Sequence, residues 1–367
     1  MTQTILLAAG GTGGHLFPAT ALAQELTRRG FVVELATDER TEQYGADFPA
    51  RAIYQVPSAT ISGRSPGAIM KALSTLGKGY FRARRLLEMV QPHVVVGFGG
   101  YPTLPPLLAA RSLAIPTVLH EQNAVMGRAN RLLSRFADAL ALSFGTTKHL
   151  KSSVEKRAVV TGNPVRDAVV GLRDQEYSPP EATGRLLLLI FGGSQGARFF
   201  SETMPEALAK LPSTLRWRLT VVQQARPEDV AEVQDAYRDA EINAHVAPFF
   251  QDLPERIANS HLVISRAGAS TVAELTAIGR PAILVPLPHA IDNDQLENAR
   301  RMEEARGGWC MHQSSITPEL LAERLEQLLS SPDALAKAAE KAKGMGNVYA
   351  VNRLADLVAD LAGPDGA

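Results

Sequence analysis

ILLAAGGTGGHL at residues 5–16 and LLLIFGGSQGAR at residues 187–198 are one phrase written twice: an apolar run, two glycines, a hydroxyl residue, one further position, a glycine, and then the opening of a helix. The matching glycines, Gly10 and Gly192, lie about half the chain apart. A second phrase repeats in the same order. VVVGFGGYPTLPPLLAARSLAIP at 94–116 and LVISRAGASTVAELTAIGRP at 262–281 each give an apolar run, a glycine turn, a helix start rich in Ser, Thr or Pro, an Ala/Leu helix and a closing proline. Two repeats in register imply two similar α/β domains in tandem. Glycine turns from strand to helix are where doubly wound folds hold phosphates, because the helix N-terminus offers N–H groups and positive dipole charge.

The 367 residues, 45% hydrophobic and 21% charged, suffice for two ordinary cores. Lys plus Arg equals Asp plus Glu at 38 each, so no global positive field exists for a nucleic-acid backbone, and nucleic acid is not an expected partner. The single cysteine, Cys310, excludes an internal disulfide and a cysteine zinc cluster, and reads as a packed thiol. The apolar run Ile5 to Ala9 lacks a basic flank and ends in glycines, which suits a first strand better than a secretory signal. No run approaches the length of a membrane span, so the expectation is a protein that is soluble or peripherally attached.

From Gln3 to Asp38 the chain reads as strand, glycine loop, helix with Leu16, Ala19, Leu22, Ala23 and Leu26 on one face, a stop at Arg28-Arg29-Gly30, and a second strand. This βαβ alternation continues to Pro164 and resumes in the second half, predicting parallel sheets. The polar stretch Gly171 to Gly184, with two prolines and a glycine at each end, reads as the interdomain linker. A final amphipathic helix carries Val351, Leu354, Leu357, Val358 and Leu361. Between Gly67 and Gln91, Ile69, Leu73, Leu76, Tyr80, Ala83, Leu87 and Val90 step by four and three and predict a buried face. At 100° per residue Lys71, Lys78, Arg82 and Arg85 gather opposite, with Met70 and Phe81 beside them. A basic stripe edged by apolar side chains suits an anionic membrane surface; a merely solvated face has the same pattern.

The loop Gly10-Gly11-Thr12-Gly13-Gly14-His15 lacks the last glycine of the dinucleotide fingerprint and the Lys-Ser/Thr of a P-loop, yet its glycines admit close backbone approach to a diphosphate. His15 stands at the start of the helix, facing whatever the loop binds, where an imidazole can accept a proton from an attacking hydroxyl or simply hold the loop by hydrogen bonding. His120, in His120-Glu121-Gln122-Asn123 after an apolar run, is a second candidate at the carboxyl end of a strand. In the second half Gly192-Gly193-Ser194-Gln195-Gly196 repeats the cradle. There Glu274 falls one turn into a helix, where a carboxylate can accept ribose hydroxyls or interact with the helix dipole. Asp292-Asn293-Asp294 reads as a helix start rather than a metal site.

Taken together, GGTGGH at 10–15, GFGGYP at 97–102, HEQN at 120–123, GNPVR at 162–166, GGSQGA at 192–197, RAGASTVAE at 266–274 and HAIDNDQ at 289–295 closely resemble one family, MurG, the bacterial UDP-N-acetylglucosamine transferases that complete lipid II. The motifs run in order over nearly the whole chain. The resemblance implies an α/β GT-B fold, two Rossmann-like domains whose parallel sheets face a central cleft. Residues 1–164 would form the acceptor domain, joined by a C-terminal helix at 346–363, and residues 165–345 the UDP-GlcNAc domain. It implies inverting transfer of GlcNAc to the 4-hydroxyl of the MurNAc-pentapeptide of lipid I in peptidoglycan synthesis, hence in cell-wall biogenesis, cell shape and division. No cofactor or metal is implied.

By the same resemblance, Ser194 and Gln195 lie near the donor diphosphate, Phe250 or Gln251 at the uracil, Glu274 on the ribose and Gln295 on the sugar hydroxyls. Thr12, Gly13, Gly14, Asn123, Arg166 and the helix start Ala269, Ser270, Thr271, Val272 and Ala273 complete the donor contacts. Gly10, Gly11, Gly99, Gly100, Tyr101, His120 and Glu121 would meet lipid I, and His15 would be the base, with His120 the alternative. Met70, Lys71, Lys78, Phe81, Arg82 and Arg85 would lie on the anionic inner leaflet, at the cytoplasmic face of the bacterial inner membrane, where cell-wall synthesis proteins are possible partners. The chain departs from the pattern where Asp294-Gln295 replaces a pair of glutamines, and where Val222-Gln223-Gln224-Ala225-Arg226 lacks a glycine turn. Rival readings are a non-hydrolysing UDP-GlcNAc 2-epimerase-like enzyme and a non-catalytic UDP-sugar-binding subunit. A dehydrogenase is weaker, although Asp38 ends the second strand where a ribose-binding acid would sit.

Overall fold

The run TILLA forms strand β1 (Thr4–Ala8), buried on both faces as a central parallel strand must be. Ile5 and Leu7 point into one core layer, Leu6 and Ala8 into the other. The computed structural model describes residues 2–10, 12–39, 48–59, 65–288 and 290–363, without the side chains of residues 193–197 and 291. Gly11, His289 and the side chains of Ser194 and Gln195 therefore lie outside the described residues. The chain divides into two units, one of residues up to Asp167 together with those from Val348, the other of Ala168–Asn347.

The first unit adds β2 (Val32–Thr37), β3 (Ala52–Gln55), β4 (Val94–Gly97), β5 (Thr117–Glu121), β6 (Ala139–Leu142) and β7 (Ala158–Val160). They form a seven-stranded sheet of order 3-2-1-4-5-6-7, parallel at every pairing. One face is covered by Leu16, Leu22 and Leu26 of α1 (Gly13–Arg28) and by Leu354, Ala355 and Val358 of the C-terminal helix Ala350–Ala362. The other carries α2 (Pro66–Val90), α3 (Leu104–Ser112) and α4 (Arg128–Leu133), through Leu87, Leu107 and Leu133 among others. Ala8 pairs with Gly97, so the carboxyl ends of β1 and β4 lie side by side where the strand order reverses. Open parallel sheets bind ligands at such a switch point.

The second unit holds β8 (Leu186–Phe191), β9 (Leu219–Gln224), β10 (Asn243–Ala247), β11 (Leu262–Ser265), β12 (Ala282–Leu284) and β13 (Gly308–Cys310), all parallel in the order 10-9-8-11-12-13. Its switch point lies between β8 and β11. The fold class read from the repeats is thus two parallel-sheet α/β domains.

Two local expectations are corrected. The stretch Gly171 to Gly184 is not a free linker. Arg173 donates to the Ala277 carbonyl at 3.0 Å, the Tyr177 hydroxyl to the His261 carbonyl at 2.9 Å, and the buried Arg280 guanidinium to the Ala258 and Gln175 carbonyls, so the stretch is strapped onto the second unit. Arginine and tyrosine partners of this kind leave no compositional trace. The face of α2 is also displaced from the predicted one. Ala72, Gly79, Ala83, Leu86 and Leu87 are buried, while Ile69 and Leu73 are exposed, Leu73 by 52%. Gly79 lets the helix approach so closely that a Cβ there would collide with the Pro57 carbonyl oxygen. The seam therefore follows small residues rather than the largest apolar ones.

Candidate active site

Thr12 occupies the N-cap position of α1 but makes no side-chain cap hydrogen bond. Its Oγ1 lies 2.9 Å from His15 Nδ1 instead. The glycines around this pair explain how the ring fits. A Cβ on Gly100 would lie 3.4 Å from His15 Cε1, and one on Gly10 would lie 3.9 Å from Nδ1 and 3.3 Å from Pro102. The Nδ1–Cε1 edge of the imidazole is thus packed between the loop after β1 and the loop after β4. Gly99 and Gly100 have φ of +83° and +75°, a left-handed pair that side chains seldom adopt. Donation of Nδ1–H to Thr12 selects the tautomer whose basic nitrogen is Nε2. Gly13 lies against the Phe17 ring, and the Arg166 guanidinium stacks over that same ring at 4.0 Å. Gly14 is exposed, and Tyr101 begins a short 3-10 turn beside the glycine pair.

His120 and Glu121 occupy a different environment, although both end β5. His120 is fully buried; Nε2 lies 3.0 Å from the Gly162 carbonyl and Nδ1 3.1 Å from the Gln122 amide. Burial brings its pKa down to about 4. The Glu121 carboxylate, also buried, accepts hydrogen bonds from the backbone N–H of Asn123 at 3.0 Å, that of Gly127 at 2.8 Å and the Asn130 amide at 2.8 Å. Burial raises its pKa, against those hydrogen bonds. Both side chains are buried and hydrogen-bonded within the first domain, where Glu121 holds the turn from Asn123 to Gly127. Asn123, half-buried, begins the turn that Glu121 holds.

In the second unit Gly192 caps the helix Gly193–Ala209, and Gly268 caps the helix Ala269–Ile278, so both helices point their N-termini at the switch point between β8 and β11. Ala269 and Val272 are buried, Ser270, Thr271 and Ala273 half-buried, and Glu274 lies on the second turn, buried. The Gln295 Oε1 accepts the Leu287 N–H at 2.9 Å, which orients its NH₂ end. Asp294 starts the helix Asp294–Glu304 after a left-handed pair, Asp292 and Asn293. The Phe250 ring packs against His245 and Arg256 and is buried, whereas the next residue, Gln251, is exposed and Phe249 stands out, 54% exposed.

Sequence reasoning missed the residues that hold these loops. Arg266 donates to the Val285 and Pro286 carbonyls and to Gln313, and burial lowers its pKa to about 10. Asn298 donates to the Ala267 carbonyl at 3.1 Å, and Gln122 to the Phe98 carbonyl at 2.8 Å. The available signal was a polar residue at an apolar position of a helix or strand end. Among the described residues no three His, Cys, Asp or Glu side chains gather as metal ligands, and no helix is long and apolar enough to cross a membrane.

Residues 5–142 match the glycosyltransferase family 28 N-terminal domain and residues 187–357 the glycosyltransferase family 28 C-terminal domain. A UDP-N-acetylglucosamine–N-acetylmuramyl-(pentapeptide) pyrophosphoryl-undecaprenol N-acetylglucosamine transferase of Methylobacterium nodulans is 54% identical over 362 residues, 98% of this chain and 96% of the relative. The crystal structure of Acinetobacter baumannii MurG superposes with a TM-score of 0.75 at 32% identity, covering 97% of this chain and 99% of that one. A Neisseria meningitidis UDP-GlcNAc 2-epimerase shares the fold alone, at 17% identity and a TM-score of 0.67, covering 97% of this chain and 99% of its own.

Proposed function

Because the chain belongs to glycosyltransferase family 28 and, within it, to the MurG family, we propose that it moves GlcNAc from UDP-GlcNAc to the 4-hydroxyl of the MurNAc-pentapeptide of undecaprenyl-pyrophosphoryl lipid I, giving lipid II for peptidoglycan. The observation that carries the mechanism is His15, packed between two glycine loops with Nδ1 on Thr12. As the 4-hydroxyl oxygen bonds to C1 of GlcNAc, Nε2 takes its proton, the bond from C1 to the phosphate oxygen breaks, and UDP leaves with the electron pair. A single displacement of this kind inverts C1.

The second domain serves the donor. Main-chain N–H groups after Gly192, with Ser194 and Gln195, and the helix start from Ala269 to Ala273 stabilise the departing diphosphate electrostatically. Glu274 takes the ribose, Gln295 a sugar hydroxyl through its NH₂ end, and the Phe250 main chain with Gln251 the uracil. Thr12, Gly13, Gly14, Asn123 and Arg166 add donor contacts from the first domain. Gly10, Gly11, Gly99, Gly100 and Tyr101 receive the acceptor diphosphate and sugar. The exposed Met70, Leu73 and Phe81, with the exposed Lys71, Lys78, Arg82 and Arg85 on the same helix, rest on the anionic inner leaflet at the cytoplasmic face of the bacterial inner membrane. Such a surface would place the enzyme beside other cell-wall synthesis proteins, in the service of cell shape and division.

Purified protein is expected to transfer radiolabelled GlcNAc from UDP-GlcNAc to a lipid I analogue. His15→Ala should lower kcat about 100-fold or more while UDP-GlcNAc still binds. Wild-type protein that binds UDP-GlcNAc and transfers nothing would refute the reading in favour of donor epimerisation or a non-catalytic binder.

A further inference from the structure

The pair Gly99–Gly100 is held from two sides. His15 packs on Gly100, while a Cβ on Gly99 would lie 3.1 Å from both polar atoms of the Asn130 amide. Asn130 sits on α4 and is only 2% exposed. Its NH₂ is fixed by the Glu121 carboxylate at 2.8 Å and the His120 carbonyl at 3.2 Å, so the amide plane cannot swing away from Gly99. Glu121 also binds the N–H of Gly127, which caps α4, so one buried carboxylate sets both the helix start and the amide.

The peptide on either side of Gly99 is held as well. Gln122 donates to the Phe98 carbonyl at 2.8 Å, and the Thr103 hydroxyl to the Gly99 carbonyl at 2.6 Å. The Asn130 Oδ1, by contrast, is buried with no hydrogen-bond partner among the described residues. An amide oxygen left so keeps the penalty of desolvation with no hydrogen bond to offset it. A residue that only filled space could be apolar at that end and avoid the cost. Asparagine satisfies both demands of the place: a donor for Glu121 and a flat face no thicker than the gap beside a side-chain-free, left-handed Cα.

We propose that Asn130 is a positioning residue for His15: held by Glu121, it fixes the Gly99–Gly100 loop that forms the far wall of the imidazole's seat. The inference rests on the reading of His15 as the base. It assigns His120 and Glu121 their work, which is to build the clamp rather than to touch substrate.

The test is a double-mutant cycle in the full-length protein. Asn130→Ala should lower kcat for transfer to a lipid I analogue about 10- to 100-fold, as small misplacements of a catalytic group do, and leave the KM for UDP-GlcNAc within about twofold. In the His15→Ala background the same substitution should cost nothing further, because the group it positions is gone. Equal losses in both backgrounds would overturn the proposal, leaving Asn130 a merely structural residue while the base assignment stands. A second variant, Asn130→Ser, keeps a donor for Glu121 but gives up the contact with Gly99, and serves if the alanine form does not fold. In its free form the ring resonances of His15, assigned by their loss in His15→Ala, should shift while those of the remaining histidines outside the clamp do not. Unchanged His15 resonances would overturn the clamp whether or not His15 is the base, whereas a fully active His15→Ala would defeat the base reading itself and the catalytic role of the clamp with it.

Discussion

His120 lies wholly inside the first domain, and burial brings its pKa down to about 4 from an ordinary value of 6.5. Between these values the unfolded chain binds a proton that the folded chain refuses. Stability therefore rises with pH across the interval, is complete above about 6.5 and is lost as pH falls toward about 4. Glu121 acts in the opposite sense: burial raises its pKa above 4.5, so stability falls as pH rises from 4.5 toward its folded value. Comparison with His120→Gln isolates the histidine. Urea unfolding at pH 7 and pH 5 should show wild type losing on the order of 2 kcal/mol more on acidification than His120→Gln, and equal losses would mean that His120 does not stay neutral. Thr12 makes the companion prediction. Thr12→Val keeps the shape and removes the oxygen that meets His15 Nδ1, so kcat at saturating UDP-GlcNAc should fall about tenfold, beyond any rise in the KM for the donor. An unaltered kcat would show that the imidazole needs no partner at Nδ1. Sequence alone could not separate His15 from His120, because each stands near the carboxyl end of an apolar run, His15 after the glycine loop and His120 directly on the run. Burial, which separates them, is a tertiary property.

At the scale of elements, the strands and the turns after β1, β4, β8 and β11 were legible because central parallel strands are buried on both faces and read as unbroken apolar runs between glycines. Helix faces were less so. The apolar periodicity of α2 placed Ile69 and Leu73 in the core, but the seam is set by Gly79 against Pro57, a contact made through the absence of a side chain. The segment after Gly171 reads as a linker for the same kind of reason: the arginine and tyrosine that strap it down are polar in composition and buried in fact. The exposed Leu73 and Phe81 beside exposed Lys78, Arg82 and Arg85 make the membrane prediction specific. Reversing the three charges should weaken flotation with anionic vesicles by about tenfold or more, each basic side chain near such a surface contributing roughly 1 kcal/mol. Leu73→Ser with Phe81→Ser should weaken it too, at low and high salt alike. UDP-GlcNAc affinity should be unchanged in both variants. Vesicle binding that survives charge reversal at low salt would remove α2 from the membrane.

At the scale of the molecule, the chain leaves the first domain at Asp167 and returns to it at Val348, so the last helix is a tertiary element of the domain that begins the sequence. Leu354, Ala355 and Val358 of that helix are fully buried in the layer under α1, and Arg29, just past the end of α1, reaches Asp356 at 2.6 Å. The ion pair lies at the surface and contributes little. Burial of the aliphatic side chains contributes roughly 1.5–3 kcal/mol for each large one, so ending the chain after Asn347 should cost the first domain on the order of 5 kcal/mol and leave the second domain's own core intact. Calorimetry can separate the two effects. In the full chain, UDP-GlcNAc should raise the transition of the second domain in proportion to the logarithm of its concentration. The shortened chain should show the first transition lowered or lost, the second in place, and the nucleotide shift preserved. Transfer would then be abolished with donor binding retained, since the proposed base and the proposed donor contacts of the second domain belong to separate cores. A truncation that lowered both transitions equally would show instead that the two cores fold as one cooperative unit, and the division of labour between acceptor and donor domains would have to be sought in their ligands alone.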